Sequence, residues 1–346
     1  MKVRGMFFDK IAMGSKILGV FLVLLHVLFL ASCGNQSNGK KIETTAIKSK
    51  AEIKVPDFNA DSAYWFVSRQ LEFGPRVPGS TAHQECARWL ESTLKRFSPQ
   101  VMVQPFKTRI YDNRIFDGQN IIAAFNPEIK SRIFLSAHWD SRPYADHDPD
   151  PANHQKPIDG ANDGASGVGV LLEIARQLSL AKPSIGVDII LFDLEDYGPP
   201  QDKQTQATET WGLGSQYWAR NLHVPAYSPR FGILLDMVGA PDAVFPVEGF
   251  SAYYAEHVVK KVWKVAETLG YGDIFVDTDG GYITDDHYFI NQIAQIPTID
   301  IIHLDHESVN GTFYDHWHTV NDNLSQIDRE TLGMVGQVVL TVVFWE

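Results

Sequence analysis

Residues 133–180 read IFLSAHWDSRPYADHDPDPANHQKPIDGANDGASGVGVLLEIARQLSL. Ile133-Phe-Leu-Ser-Ala137 is a short apolar run of the kind that forms a buried strand. It gives way to His138-Trp139-Asp140, so polar side chains emerge where the strand ends. In open α/β sheets the crevice beyond the carboxyl ends of the strands is where ligands sit. A loop rich in Pro, Asp and His follows, and then Gly160-Ala-Asn-Asp-Gly-Ala-Ser-Gly167. Val168, Leu171, Leu172, Ala175 and Leu178 come next at helical spacing. Asp163 therefore stands just ahead of a helix N-terminus, where the dipole and free backbone N–H groups favour an ionised carboxylate. A strand-end His and a helix-start Asp can converge on one metal ion. A polar loop followed by a helix cap would leave the same trace.

Outward from this stretch the pattern repeats. Residues 101–111, 119–125, 187–193, 231–236 and 296–302 read as strands. The third runs into Leu194-Glu195-Asp196, the fourth ends at Asp236, and the fifth runs into His303. Ser80 or Thr81 can cap a helix bearing Cys86, Trp89, Leu90, Leu94 and Phe97. Residues 253–269 form an amphipathic helix with Val258, Val259, Val262, Val265 and Ala266 inward. A last helix starts near Asp328 and carries Leu332, Val335, Val338 and Val339. Strands alternating with helices predict a three-layer α/β fold. Strands that mostly end in acids or His place one site along one sheet edge. Residues 198–213 are polar and aperiodic, and long enough to be functional rather than a mere connector.

The chain has 346 residues, 44% hydrophobic and 21% charged, which is a globular composition. A net charge of -12 argues against a nucleic-acid partner. Two cysteines imply no disulfide framework. Lys2, Arg4, Lys10 and Lys16 precede an almost wholly apolar run over 17–30, too short for a confident membrane span. Leu30-Ala-Ser-Cys33 then resembles the bacterial lipobox, a small residue ahead of a lipidatable thiol. The expected organisation is a lipoprotein signal peptide over 1–33, a flexible tether over 34–55 and a single domain over 56–346. Lipidation at Cys33 would place the protein in a bacterial cell envelope, periplasmic or outer-membrane-associated. An ordinary secretory signal with a chance cysteine, or a retained membrane anchor, is the alternative. Cys86 reads as a helix-face residue.

Five positions could bind or work beside a divalent metal: His138, Asp163, Asp196, Asp236 and His318. Zinc accepts imidazole nitrogen and carboxylate oxygen, and a catalytic zinc keeps three protein ligands and one open place. These residues come from separate loops, a weaker pattern than a compact Cys or HExxH signature. Glu195 and Asp196 are neighbours and point in different directions, so one can ligate while the other faces substrate. A partly buried Glu beside a cation can carry a proton; a solvated acidic turn is the alternative. The acidic residues 146–151 read as a solvated loop rather than a calcium site.

Several motifs occur in order: Phe73-Gly-Pro-Arg-Val-Pro-Gly, Ala137-His-Trp-Asp, Gly160-Ala-Asn-Asp-Gly-Ala-Ser, Phe192-Asp-Leu-Glu-Asp, Leu234-Leu-Asp-Met-Val-Gly-Ala-Pro, Gly280-Gly-Tyr-Ile-Thr-Asp-Asp-His and Trp317-His-Thr-Val-Asn-Asp-Asn. Together they resemble the glutaminyl cyclases of the animal type, relatives of the two-zinc aminopeptidases, over roughly residues 73–346. The His-Trp-Asp, the Asp163 loop, the Glu195-Asp196 pair and His318 are aminopeptidase-wide. The remaining features favour the cyclase branch. The resemblance implies a central mixed, mostly parallel twisted sheet flanked by helices. It implies one Zn2+ per chain on Asp163, Asp196 and His318, with Asp196 replacing the Glu of the animal enzymes. Glu195 would be the general acid and base. Asp236 and Asp285 would orient the substrate amine and link a hydrogen-bond network. Trp317 and Trp211 would wall the pocket, although the loop before Trp211 is longer than in the animal enzymes. The implied reaction turns the N-terminal glutamine of peptides into pyroglutamate and ammonia, and the chain is expected to act as a monomer. One alternative is a two-zinc aminopeptidase, with a second metal on His138, Asp163 and Asp236. Another is a non-enzymatic envelope lipoprotein that binds peptides, against which the intact Glu195 and ligand set argue.

Overall fold

The computed structural model describes residues 53–203 and 208–346; the expectations for the signal peptide and Cys33 lie outside the described residues. In chain order the elements are α1 (Ala60–Leu71), α2 (Thr81–Phe97), β1 (Gln100–Arg109), β2 (Ile115–Phe125), β3 (Arg132–His138) and α3 (Ala165–Leu180). They continue with β4 (Gly186–Phe192), α4 (Leu213–Arg220), β5 (Gly232–Asp236), β6 (Phe245–Val247) and α5 (Gly249–Leu269). The last are β7 (Phe275–Asp279), α6 (Asp286–Phe289), β8 (Thr298–Ile302) and α7 (Arg329–Trp345).

The main sheet has the order β1-β2-β4-β3-β5-β8. The β1/β2 and β2/β4 pairs are antiparallel, and β4, β3, β5 and β8 run parallel. The sheet is therefore mixed and mostly parallel, with helices on both faces, as the sequence predicts. Alternation along each strand explains the layers. Ile133 and Leu135, Ile189 and Leu191, Ile233 and Leu235, and Ile299 and Ile301 join one core with the inner residues of α1, α2, α3, α5 and α7. The intervening Phe134, Ile190 and Phe192 face the other way, onto Trp218 of α4 and onto Ile290 and Ile296. Both faces are covered, so the central strands are apolar throughout.

The register sets the position of the site. His138 pairs with Phe192, and Ser136 with Leu234, so the carboxyl ends of β3, β4 and β5 lie level. Asp236 pairs with Ile302, which brings β8 to the same edge.

Three elements go beyond the sequence reading. Helix α1 is capped by Asn59, and one of its buried positions is polar. That residue, Gln70, donates to the Ala165 carbonyl at the start of α3, a partner that periodicity cannot reveal. Helix α4 has only eight residues, and its buried Leu213, Trp218 and Ala219 are interrupted by buried Gly214, Ser215 and Gln216, which blurs the apolar pattern. The parallel pair β6 and β7 rests on a three-residue strand, too short to show alternation. Ile53 and Val55 already pack against the core, ahead of Pro56.

Helix α3 approaches the sheet most closely at Gly167. A Cβ there would stand 2.3 Å from the Leu235 carbonyl oxygen and 3.0 Å from the Ala137 Cβ. Gly167→Ala should therefore cost about 1–3 kcal/mol through overpacking. Urea unfolding followed by circular dichroism should show a lower midpoint at unchanged slope.

Candidate metal centre

Asp163 projects from the turn before α3, Asp196 from the turn after β4, and His318 from the segment between β8 and α7. All three are buried. His318 Nε2 lies 3.2 Å from Asp196 Oδ1 and 3.5 Å from Asp163 Oδ2. Donors on a tetrahedral zinc with bonds of 2.0–2.1 Å stand about 3.3–3.4 Å apart, so these spacings suit zinc. The chemistry of the donor set agrees. Burial, and then the charge of Arg142, press His318 down to about 3, leaving a neutral ring with a lone pair. Burial and the neighbouring Asp163 charge push Asp196 well above the usual carboxylate range, and its Oδ2 is buried without a hydrogen-bond partner. Arg142 lies 3.5 Å from Asp196 Oδ1 and His138 stands beside Asp163, but the face that the two carboxylates turn to His318 meets a neutral imidazole, where a divalent cation supplies positive charge.

A second group shares Asp163. Its Oδ1 lies 3.0 Å from His138 Nε2, and the same nitrogen lies 3.3 Å from Asp236 Oδ1. Burial opposes charge on His138, but hydrogen bonds to Asp140, Asp163 and Asp236 outweigh it and raise its pKa well above the ordinary value. Burial would raise Asp163 too, but His138 and His318 hold it below its usual value.

Buried acceptors hold the ligand-bearing turns. Asp140 accepts the N–H of Glu195 at 3.1 Å and of Asp196 at 3.2 Å, one on each oxygen. Asp322 accepts the N–H of Asn162 at 2.8 Å and of Asp163 at 3.2 Å. Leu194, Met237 and His318 have φ of 56°, 49° and 54°. Such left-handed backbone is costly for these residues and persists where surrounding contacts over-determine it. Here it turns the chain sharply beside Glu195, after Asp236 and at His318. Gly164 allows close approach, since a Cβ there would meet the His138 ring at 2.5 Å.

Glu195 is buried beside the trio. Burial first, and then the charge of Asp285, raise its pKa well above the carboxylate norm. Burial raises Asp236 to about 7, helped by Asp163 and Asp285 and opposed by His138. Asp285 caps α6 by accepting the Asp286 N–H. It also forms a third buried group with His287 and Asp300. Trp317 stacks on the His318 ring at 3.7 Å, and Trp211 lies nearly parallel to that ring at 6.5 Å. Both indoles are half-buried. The structure thus brings every predicted site residue among the described residues to one sheet edge.

The sequence reading missed Asp322 and gave no role to Asp140, Arg142 or Asp300. Arg142 is fully buried and pairs with Asp146 through two hydrogen bonds of 2.8 and 2.7 Å. It also donates to the Asp196 carbonyl at 3.1 Å. The view of residues 146–151 as a solvated loop is corrected at two positions: Asp146 and Asp148 are only 4% and 5% exposed, while Pro149, Asp150 and Pro151 are exposed. Their side chains accept hydrogen bonds from Arg142 and the Gln201 N–H, and from Asn153 and the Val320 N–H. A run of Asp and Pro looks hydrophilic in sequence, and nothing local reveals the distant Gln201 and Val320 donors.

Carboxylates and imidazole converging beyond the carboxyl ends of a mostly parallel sheet, with a buried Glu alongside, define a metal-dependent enzyme of the α/β class. Residues 120–343 match the model of Peptidase family M28, and the chain belongs to that family. It is similar to a crystal structure of Bacteroides thetaiotaomicron glutaminyl cyclase bound to N-acetylhistamine, at 51% identity and a TM-score of 0.82, over 85% of this chain and 100% of that one. A Zn-dependent exopeptidase from Parabacteroides distasonis is similar at 52% identity and a TM-score of 0.82, over 84% and 99%. The glutaminyl-peptide cyclotransferase of Bos taurus is 25% identical over 304 residues, 78% of this chain and 77% of that one.

In Asp140→Asn, one of the two backbone N–H groups would face an amide NH2 instead of an oxygen. The Glu195–Asp196 turn should loosen, with a stability loss of about 1–3 kcal/mol. Thermal unfolding of zinc-free and zinc-loaded samples checks this; the loss should persist in both.

Proposed function

We infer that the chain is a glutaminyl-peptide cyclotransferase, which closes the N-terminal glutamine of peptides to pyroglutamate and releases ammonia. The observation that carries this reading is the setting of Glu195. It is a buried carboxyl next to the ligand Asp196, with its charge disfavoured by burial and by Asp285. The substrates are peptides and proteins with N-terminal glutamine.

A zinc ion on Asp163, Asp196 and His318 would supply Lewis acidity for the γ-carboxamide oxygen. The reaction joins two atoms of one residue, so no second reactant has to be captured. A bond forms from the α-amine nitrogen to the γ-carbon, the bond to the amide nitrogen breaks, and one proton passes from the amine to the departing ammonia. Glu195 carries that proton. Its raised pKa brings proton uptake towards neutral pH, where both halves of the transfer are efficient. Asp236 and Asp285 face the same space and orient the amine. Trp317 and Trp211 wall the pocket and limit the entry of water, which the reaction does not need.

One zinc per chain is the stoichiometry we favour. His138 Nε2 lies at 3.0 and 3.3 Å from oxygens of Asp163 and Asp236, so its own N–H joins the two carboxylates that a second metal would use. Glu195→Gln should keep one equivalent of zinc and lose on the order of 10²–10⁴-fold in turnover, since Gln cannot shuttle a proton. His318→Ala should lose zinc and turnover together. Elemental analysis and ammonia release from a peptide with N-terminal Gln, measured on the same samples, separate the two roles. Near-normal turnover in Glu195→Gln would refute its assignment. A free amino acid released without pyroglutamyl product would refute the cyclase reading.

We further propose that the protein is anchored in the bacterial envelope through a lipidated Cys33, on the periplasmic side or at the outer membrane. The support is the basic start, the apolar run over 17–30 and Leu30-Ala-Ser-Cys33. Among the described residues no helix is long and apolar enough to cross a membrane. Intact-mass analysis of membrane-extracted protein should give a chain starting at a diacylated Cys33. An unmodified Cys33 would refute the anchor.

A further inference from the structure

Part of the loop between β3 and α3 folds against the chain segment that carries Trp317 and His318. Three consecutive residues make the contact. Asp146 Oδ1 lies 3.6 Å from His318 Nδ1, the ring nitrogen turned away from Asp163 and Asp196. That nitrogen is buried and has no hydrogen-bond partner among the described residues. The His147 N–H donates to the His318 carbonyl at 3.2 Å, and the His147 ring packs on Trp317 at 4.3 Å. Asp148 Oδ2 accepts the Val320 N–H at 3.1 Å.

The loop is itself held in place. Asp146 is fixed by Arg142 and by the Gln201 N–H at 2.8 Å. The Arg142 guanidinium lies 4.9 Å over the Trp211 ring and also reaches the Asp196 carbonyl. Asp148 takes hydrogen bonds from Asn153 at 2.8 Å and from the Asp150 N–H at 3.0 Å. One loop therefore touches two of the three candidate ligands and both pocket tryptophans.

We propose that residues 146–148 are a positioning clamp for the metal ligand His318, with Asp146 its working end. Asp146 faces Nδ1 and fixes that nitrogen as the protonated one, which leaves the Nε2 lone pair for the metal. His147 and Asp148 hold the backbone of the ligand segment, including the left-handed turn at His318. Metal-bound histidines commonly donate their second ring N–H to a carboxylate, and losing that partner costs 10–100-fold in metal affinity. The proposal rests on His318 being a zinc ligand and is independent of which reaction follows.

The test is zinc affinity by competition with a chromogenic chelator, using the full exported chain. Parent, Asp146→Ala, Asp146→Asn and Asp148→Asn are compared, with zinc-free melting temperatures measured alongside. Asp146→Ala should bind zinc on the order of 10–100-fold more weakly. Asp146→Asn keeps an acceptor oxygen and should lose less. Asp148→Asn leaves the Arg142 pair untouched, so it keeps the test open if the Asp146 variants do not fold; it should weaken zinc several-fold. In zinc-saturated samples kcat should fall more than KM rises. Variants that lose melting temperature but hold zinc within twofold of the parent would make the loop merely structural and overturn the clamp. A parent that takes up no zinc would remove the metal centre and the clamp with it.

Discussion

Carboxyl groups crowded at one sheet edge and shut away from water are the constraint on which the rest of this structure depends. Asp140, Asp163, Asp196, Asp236, Asp285, Asp322 and Glu195 are all buried there. Burying one charge without compensation is costly, and several of like sign compound the cost. The fold offsets it in two ways. Backbone N–H groups are aimed at Asp140 and Asp322. Two buried arginines, Arg76 and Arg142, thread through the same region. The remaining deficit falls on Asp163 and Asp196, which face a neutral imidazole where a divalent cation fits.

The architecture serves this edge. Parallel strands with apolar side chains on both faces can be buried completely, and their carboxyl ends then open onto one crevice. Level register places His138, Asp236 and the Glu195–Asp196 turn side by side. The left-handed residues Leu194, Met237 and His318 convert straight strands and loops into abrupt presentations of functional side chains. The local backbone cost is tolerable because the apolar layers on both sides of the sheet are extensive.

Much of this was legible in sequence, and the division has physical reasons. The strands were legible because apolar runs broken by acids or His mark a buried strand reaching an edge. Asp196 emerged because it follows such a strand and Asp163 because it precedes a helix, whereas His318 lies in a loop and the trio was assigned as ligands through the family resemblance. Helix α4 was not legible, because it is short and Gly, Ser and Gln interrupt its buried Leu213, Trp218 and Ala219. The inward fold of Asp146 and Asp148 was hidden because the Gln201 and Val320 N–H groups they accept from lie far along the chain. Asp322 was hidden for the same reason: a carboxylate that binds backbone N–H groups 160 residues away leaves no local pattern.

The ligands come from well-separated parts of the chain, Asp163 before the third helix and His318 shortly before the last. Among the described residues the one cysteine, Cys86, is buried and free. A cation shared by these side chains would therefore act as a covalent cross-link does in disulfide-bonded proteins. It closes a long loop, and the entropy removed from the unfolded chain grows with the length of that loop. Because the complete ligand set exists only in the folded state, such a tie stabilises that state selectively. The ion at the reaction centre would then also set how long the protein survives proteolysis, and metal scarcity would shorten its lifetime as well as silence it.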